Sequence, residues 1–204
     1  MQKKYTLNFI DFQNDFVAPN GALSFDNKKG DEALILKTNA FFKLLPVHVI
    51  ENAIVTYDTH FIQTYKTSEE GKTFPIHCVK NTTGWQLAVD KSLLETKIPT
   101  IQYLQKSTYD MWAETIDKID TKILSNTQEV VLFGVASDIC NKAALKGWVK
   151  KGIPVTILED LTRGIFKETA EVLKEQPFKK AVQQGKIKCI SARTFLARFQ
   201  NERG

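Results

Sequence analysis

The sequence is short of several things, and each shortage excludes a class of protein. It has only three cysteines in 204 residues, Cys78, Cys140 and Cys189. So sparse and odd a set does not build the oxidised framework of a secreted domain; it fits a reducing compartment, with the cytoplasm as the expectation. No apolar stretch approaches the ~20 residues that a membrane span needs. The apolar run of the opening MQKKYTLNFIDFQNDF is broken by Asn8 and Asp11, too early for a signal-peptide core, so a soluble chain with no membrane partner is expected. No Lys/Arg block exceeds a pair, and 28 basic against 23 acidic residues leave a net charge of +5 dispersed along the chain. Nucleic-acid binders concentrate such charge in a stripe, so no nucleic-acid partner is expected. Ten glycines and six prolines are too few for a collagen-like or disordered chain, and no repeat, low-complexity tract or linker divides the sequence.

What is present is an ordinary globular composition, 43% hydrophobic and 25% charged. A chain of this length suits one domain over residues 1–204, able to bury about 70% of the surface its unfolded form exposes. Apolar and β-branched runs predict strands over 5–11, 53–58, 100–105, 129–135, 154–159 and 186–190. Between them, three- and four-residue apolar spacing predicts helices over 31–45, 108–124, 138–151 and 167–184, with Pro177 breaking the last. Such alternation is the signature of an α/β fold: a single-domain, three-layer α/β/α arrangement around a central, mainly parallel six-stranded sheet. The stretch from His60 to Leu94 is expected to be irregular, and a loop that long in a compact domain is usually functional. The segment SARTFLARFQ reads as a final helix whose Phe195, Leu196 and Phe199 fit core packing or a subunit contact.

In open α/β sheets ligands bind beyond the carboxyl ends of the strands, and here those ends carry chemistry. The first strand ends in Asp11, the second in Asp58 followed by His60, and the third in Lys106. The fourth runs through Gly134, Val135 and Ala136 into a turn that sets Cys140 at a helix start, where the dipole and free N–H groups favour thiolate and can hold an oxyanion. Taken singly, each has a plainer reading: the cysteine a small buried hydrophobe, the aspartate a cap, the lysine solvated surface. A lysine beside a carboxylate and a thiolate would instead hold both charged. Cys189 alternates within a strand and reads as core, and Cys78 adjoins His77 and reads as packing. Two of the three histidines, His60 and His77, share the long loop with Asp58, Glu69 and Glu70, a mixed N/O set suited to zinc, iron or manganese. His48 reads as surface at a helix end.

These residues, in this order, resemble the isochorismatase-like cysteine hydrolases and, within them, the nicotinamidase/pyrazinamidase branch. FIDFQNDF (9–16) is similar to the family's first-strand motif, which implies a catalytic role for Asp11 and a pocket role for Phe16. YDTHF (57–61) and FPIHCVKNTTGW (74–85) resemble the metal-branch elements, which implies Asp58, His60 and His77 as ligands and Phe74 as a stacking aromatic. LQKSTYDMW (104–112) resembles the lysine motif and points to Lys106, with Tyr109 or Trp112 closing the pocket. GVASDICNKAAL (134–145) resembles the nucleophile motif, which implies Cys140 as nucleophile, backbone N–H groups of Ala136 and Cys140 as oxyanion hole, and a cis Val135–Ala136 peptide. One departure stands out. Many nicotinamidases carry a second histidine six residues after the first, where this chain has Lys66; Glu70, or its neighbour Glu69, is placed to supply the missing ligand.

The resemblance implies an enzyme: a cysteine amidohydrolase converting nicotinamide and water to nicotinate and ammonia through a thioester, with a role in pyridine-nucleotide salvage. A divalent metal would orient the pyridine ring, the partner would be a small-molecule amide, and a homo-oligomer is common in the family. The alternatives are a metal-free isochorismatase-like or ureide hydrolase of the same superfamily, and a catalytically silent binding protein on this fold.

Overall fold

A computed structural model describes residues 4–47 and 49–199; His48 and the tail 200–204 lie outside the described residues. Six strands form where the buried runs predict them: β1 (Tyr5–Ile10), β2 (Ile50–Asp58), β3 (Thr100–Lys106), β4 (Glu129–Val135), β5 (Val155–Arg163) and β6 (Ile187–Ile190). All pairings are parallel, in the order β3-β2-β1-β4-β5-β6. The chain order therefore reverses between β1 and β4, and at such a switch point the connections leave in opposite directions and open a crevice.

The pleat explains the layers. Leu7 and Phe9 of β1 join a core with Phe41, Phe42, Phe133 and Phe195, while Ile10 joins a second core with Leu132, Met111 and Trp148. Phe9 packs its ring on Phe42 and Phe133 at centroid distances of 5.5 and 4.9 Å, and each such buried ring contributes about 1.5–3 kcal/mol. Asn8 is polar and fully buried between them, which is tolerable because it is satisfied: its Oδ1 accepts from Trp148 Nε1 at 2.8 Å and its Nδ2 donates to Ile54 O at 3.2 Å. Gly134, with φ +118, lets β4 lie this close to β1, since a Cβ there would stand 2.1 Å from Ile10 O.

Two long helices cover the sheet. Helix α1 (Glu32–Leu44) is capped by Asp31, whose carboxylate accepts from Leu34 N at 2.9 Å, and buries Leu34, Thr38, Phe41 and Phe42 at three- and four-residue spacing. Helix α2 (Cys140–Lys150) buries Cys140, Ala144, Leu145 and Trp148 on one stripe. Elsewhere the helices are shorter than the periodicity suggests. The predicted 108–124 helix is three turns, Met111–Thr115, Ile116–Lys118 and Thr121–Asn126, because Asp110 and Asp120 each cap a new start and Gln102 pairs with Lys118 O and Asp120 N. The predicted 167–184 helix is Thr169–Val172 and Phe178–Gln183, divided before Pro177. The final helix is Ala192–Ala197, and Phe195, Leu196 and Phe199 are buried in the chain's own core. No helix among the described residues is long and apolar enough to cross a membrane.

Candidate active site

The carboxyl ends of β1, β2 and β3 deliver Asp11, Asp58 and Lys106 to one place, and the turn after β4 brings Cys140. Lys106 is 2% exposed, an environment in which an ammonium survives only with partners. Its Nζ lies 2.6 Å from Asp11 Oδ2, 3.6 Å from Cys140 Sγ and 3.8 Å from Asp58 Oδ1. Burial would drive Lys106 toward neutrality, but Asp11, Cys140 and Asp58 outweigh it and hold the amine protonated well above its usual range. Asp11 has a left-handed backbone, φ 46, rare for a residue with a side chain and found where neighbouring structure fixes it. Thr56 fixes it: its Oγ1 donates to Asp11 Oδ1 at 2.6 Å, and the Asp11 N–H bonds back to Thr56.

Burial raises the Asp11 carboxyl above its ordinary value; Lys106 opposes the rise and Asp58 adds to it. Burial likewise pushes the Cys140 thiol up, against Lys106 and with the help of Asp11 and Asp58. Burial thus works against the charged form of each group, and a raised carboxyl is a stronger base than an exposed aspartate.

Beside this trio sits a cluster of four buried groups, Asp58, His60, Glu70 and His77, whose donor atoms all lie within 4.8 Å of one another. His60 Nε2 is 3.0 Å from Asp58 Oδ2 and 3.2 Å from Glu70 Oε2; His77 Nε2 is 2.9 Å from Asp58 Oδ2 and 3.4 Å from Glu70 Oε2. On the far side of its ring, His77 Nδ1 is 2.9 Å from Pro75 O and 3.0 Å from the Tyr65 hydroxyl. That carbonyl holds a proton on Nδ1 and turns Nε2 toward the carboxylates, the orientation a metal-ligating histidine takes. Burial would lower both histidines, but hydrogen bonds and charge from Asp58 and Glu70 lift each to about 9. Burial would raise Asp58, but Lys106 and the two histidines hold it below the usual carboxylate range. Asp58 Oδ1 and Glu70 Oε1 are buried without hydrogen-bond partners. Two inward carboxylates, two inward imidazole nitrogens and two spare oxygens fit a divalent metal ion. Glu70 is the carboxylate in this cluster; Glu69 has an exposed side chain and pairs with Lys72.

Cys140 faces a narrow, mainly apolar cleft lined also by Phe16, Leu23, Phe74, Tyr109, Ala136, Ile139 and Ile165, together with Asp58, Glu70 and His77. The Val135–Ala136 peptide, whose Ala136 lines the cleft, is cis. A second hollow of about 390 Å³ touches His60 and Lys106, but neither Cys140 nor Asp11 lines it. Trp112, expected at the pocket, is not brought there. Its indole fills the space that a Cβ on Gly147 would occupy, donates from Nε1 to Ala144 O at 3.0 Å and stands edge-on to Trp148. Cys189 is half-buried on the edge strand β6, packed against the second core with Glu159 Oε2 3.5 Å from its sulfur; Cys78 is fully buried.

Sequence reasoning missed the residues that join strand ends. Gln13 Nε2 donates to Asp58 O and Trp85 O, and its Oε1 accepts from Asp58 N, each at 2.8 Å, so one side chain extends the β1–β2 pairing past the sheet. Asp15 accepts from Cys78 N at 2.7 Å and Ala22 N at 3.0 Å, tying the His77 loop to the segment carrying Phe16. Both lie within FIDFQNDF, where a polar pair after a buried strand was the available signal.

Comparison with known proteins agrees with this architecture. An isochorismatase domain model matches residues 6–183. The nicotinamidase of Saccharomyces cerevisiae is 30% identical, over 78% of this chain and 88% of that protein. Among solved structures, a nicotinamidase from Bacillus subtilis superposes with a TM-score of 0.66 at 22% identity, covering 94% of this chain and 100% of that one. A pyrazinamidase of Pyrococcus horikoshii, in complex with zinc, has a TM-score of 0.64 at 24% identity, covering 92% and 98%. The chain belongs to the isochorismatase family. Within it, the chain is a nicotinamidase-like hydrolase that acts on an amide, with a site able to hold a divalent metal.

Proposed function

We propose that the protein is a cysteine-dependent nicotinamidase, hydrolysing nicotinamide to nicotinate and ammonia. The observation that carries this reading is the position of Lys106 Nζ, within 4 Å of Asp11, Cys140 and Asp58 together, which joins a nucleophile and its base to a metal-type cluster along one apolar cleft. A thiol with a carboxylate base suits acyl transfer, and a metal-type cluster whose Asp58, Glu70 and His77 line the same cleft as Cys140 suits recognition of a ring nitrogen.

Asp11 takes the proton from Cys140 Sγ, and the thiolate attacks the carboxamide carbon. Lys106 stays charged throughout and offsets the anionic sulfur and carboxylate in turn. The N–H groups of Ala136 and Cys140 hold the oxyanion, each donor contributing about 3–4 kcal/mol. As the C–N bond breaks, Asp11 returns its proton to the leaving nitrogen and ammonia departs, leaving a thioester on Cys140. A water then gives a proton to Asp11 and its oxygen to the acyl carbon; the C–S bond breaks and the proton returns to sulfur. Phe16, Phe74 and Tyr109 line the cleft and exclude water from the ring. Asp58, His60, Glu70 and His77 would hold a zinc, iron or manganese ion, which when bound supplies an electrophilic contact that orients the ring nitrogen. Three unpaired cysteines suit a reducing compartment, and the cytoplasm is the compartment assigned to the enzyme in this reading.

The test is ammonia release from nicotinamide by metal-replete protein, beside Cys140→Ala and a chelated sample. Release that disappears in both controls supports the reading. No release from replete protein overturns the substrate, and release unchanged in Cys140→Ala overturns the mechanism.

A further inference from the structure

One wall of the cleft comes from outside every helix, strand and motif described above. Ile165 lines the cleft together with Cys140, Phe16 and Phe74, yet it belongs to the connection that follows β5. Ile165 is 37% exposed and Phe166 is 74% exposed. A surface segment with two adjacent apolar side chains would be expected to wander, and this one is clamped. The Asp138 carboxylate accepts from three consecutive backbone N–H groups, Ile165 at 3.0 Å, Phe166 at 2.8 Å and Lys167 at 3.0 Å. Ser137 adds two bonds, its Oγ donating to Lys167 O at 2.6 Å and its N–H to Arg163 O at 2.9 Å. Gly164 permits the approach, since a Cβ there would lie 2.0 Å from Lys167 O and 2.5 Å from Ser137 Oγ.

Charge-assisted hydrogen bonds to a carboxylate are the strong kind, and three on one side chain fix the loop's backbone as a unit. Asp138 stands two residues before Cys140, with Ile139 between them also lining the cleft. The same short stretch of chain therefore carries Cys140 and holds Ile165, a second wall residue of the same cleft. We propose that Ile165 is the specificity-determining wall of the cleft and that Asp138 is the residue that positions it. In this arrangement Ile165 selects among rings that approach Cys140, accepting a flat, unsubstituted aromatic carboxamide and turning away rings bearing bulk on the edge that meets Ile165. The choice of aromatic amide rests on the function proposed above; the wall itself does not.

The experiment uses the metal-replete full chain and the variants Ile165→Ala, Asp138→Asn and their combination. Alkylation of Cys140 is followed by peptide mass spectrometry with a small reagent, iodoacetamide, and a bulky one, N-phenylmaleimide. The expected result is a bulky-to-small rate ratio raised roughly tenfold in Ile165→Ala, the scale on which a few pocket carbons discriminate. Asp138→Asn should raise it in the same direction, and the double variant should go no further than the larger single, as residues acting through one contact do. With nicotinamide, both single variants should raise KM while kcat stays within about twofold, and both should gain relative activity on ring-alkylated nicotinamides. An unchanged ratio in Ile165→Ala overturns the wall. Additive effects in the double variant, or equal slowing with both reagents in Asp138→Asn, overturn the positioning role. Should Asp138→Asn not fold, Gly164→Ala displaces the same segment and is read the same way. Wild-type protein that labels as expected but releases no ammonia from nicotinamide overturns the substrate reading alone, and the labelling ratio still decides the wall.

Discussion

Replacing Lys106 by methionine keeps most of the side chain's volume and removes its charge. The wild-type ammonium sits 2.6 Å from Asp11 Oδ2 with both side chains at or below 1% exposure, so deletion leaves a buried carboxylate with no counter-ion. Breaking a buried pair this way costs about 3–5 kcal/mol, a large share of the roughly 5–15 kcal/mol a domain has. For a chain of this size that corresponds to a fall of roughly 6–20 °C in unfolding temperature. The sign of the pH dependence follows from Asp11, whose folded pKa is raised by burial with Lys106 as the chief opposing influence. A raised group contributes stability below its unfolded pKa and loses it as pH climbs through the folded value; without Lys106 that loss steepens. The deficit of Lys106→Met against wild type should therefore be large at neutral pH and shrink toward about pH 4, where carboxylates protonate. Adding Asp11→Asn should recover much of the stability, because the stranded charge is gone, and none of the activity. Thermal unfolding of the four proteins of this cycle, metal-saturated, across that pH range is the assay. A Lys106→Met protein as stable as wild type at pH 7, or a double variant no more stable than the single, would refute the coupling.

Three further outcomes are expected. Glu70→Gln should lower metal retained after dialysis by about 10–100-fold in affinity, while Glu69→Gln should leave it unchanged, as read by elemental analysis. Trp112→Phe should leave the KM for nicotinamide within about twofold, since its indole packs on Gly147 and Trp148 away from the cleft, and should cost about 1 kcal/mol in urea unfolding for the lost bond to Ala144 O. Gly134→Ala should lose more than about 3 kcal/mol in the same assay, because its φ of +118 and its contact with Ile10 O leave no room for a methyl group.

The strands were legible as β-branched and aromatic runs, longest in β1, β2 and β4 because these are buried on both faces. Their ends were legible because Asp11, Asp58 and Lys106 interrupt those runs abruptly. β2 begins three residues before the predicted start, at Ile50, because Tyr5 pairs there, a register that only the partner strand sets. The helices of 108–124 were misread as one because their apolar spacing continues through two aspartates that cap new starts. Choosing Glu70 over Glu69 required knowing which way a single turn of 3₁₀ helix faces. Trp112 was assigned to the pocket by its place in a motif, and the space beside Gly147 claimed it instead. Gln13 and Thr56 act only across strands, so nothing near them in sequence announces their partners.

β1 is the first strand of the chain and an interior strand of the sheet, flanked by β2 on one edge and β4 on the other. As the chain is synthesised, β2 can cover one edge early, but the other waits for Glu129–Val135. Through that interval a mostly apolar ribbon offers an open row of N–H and C=O groups, the arrangement most prone to pair with a neighbouring nascent chain. Trimming the sequence past Tyr5 would likewise cut a seam that both halves of the sheet share, whereas β6 has a strand on one side only. Circular permutants of this protein should therefore keep their new termini away from β1.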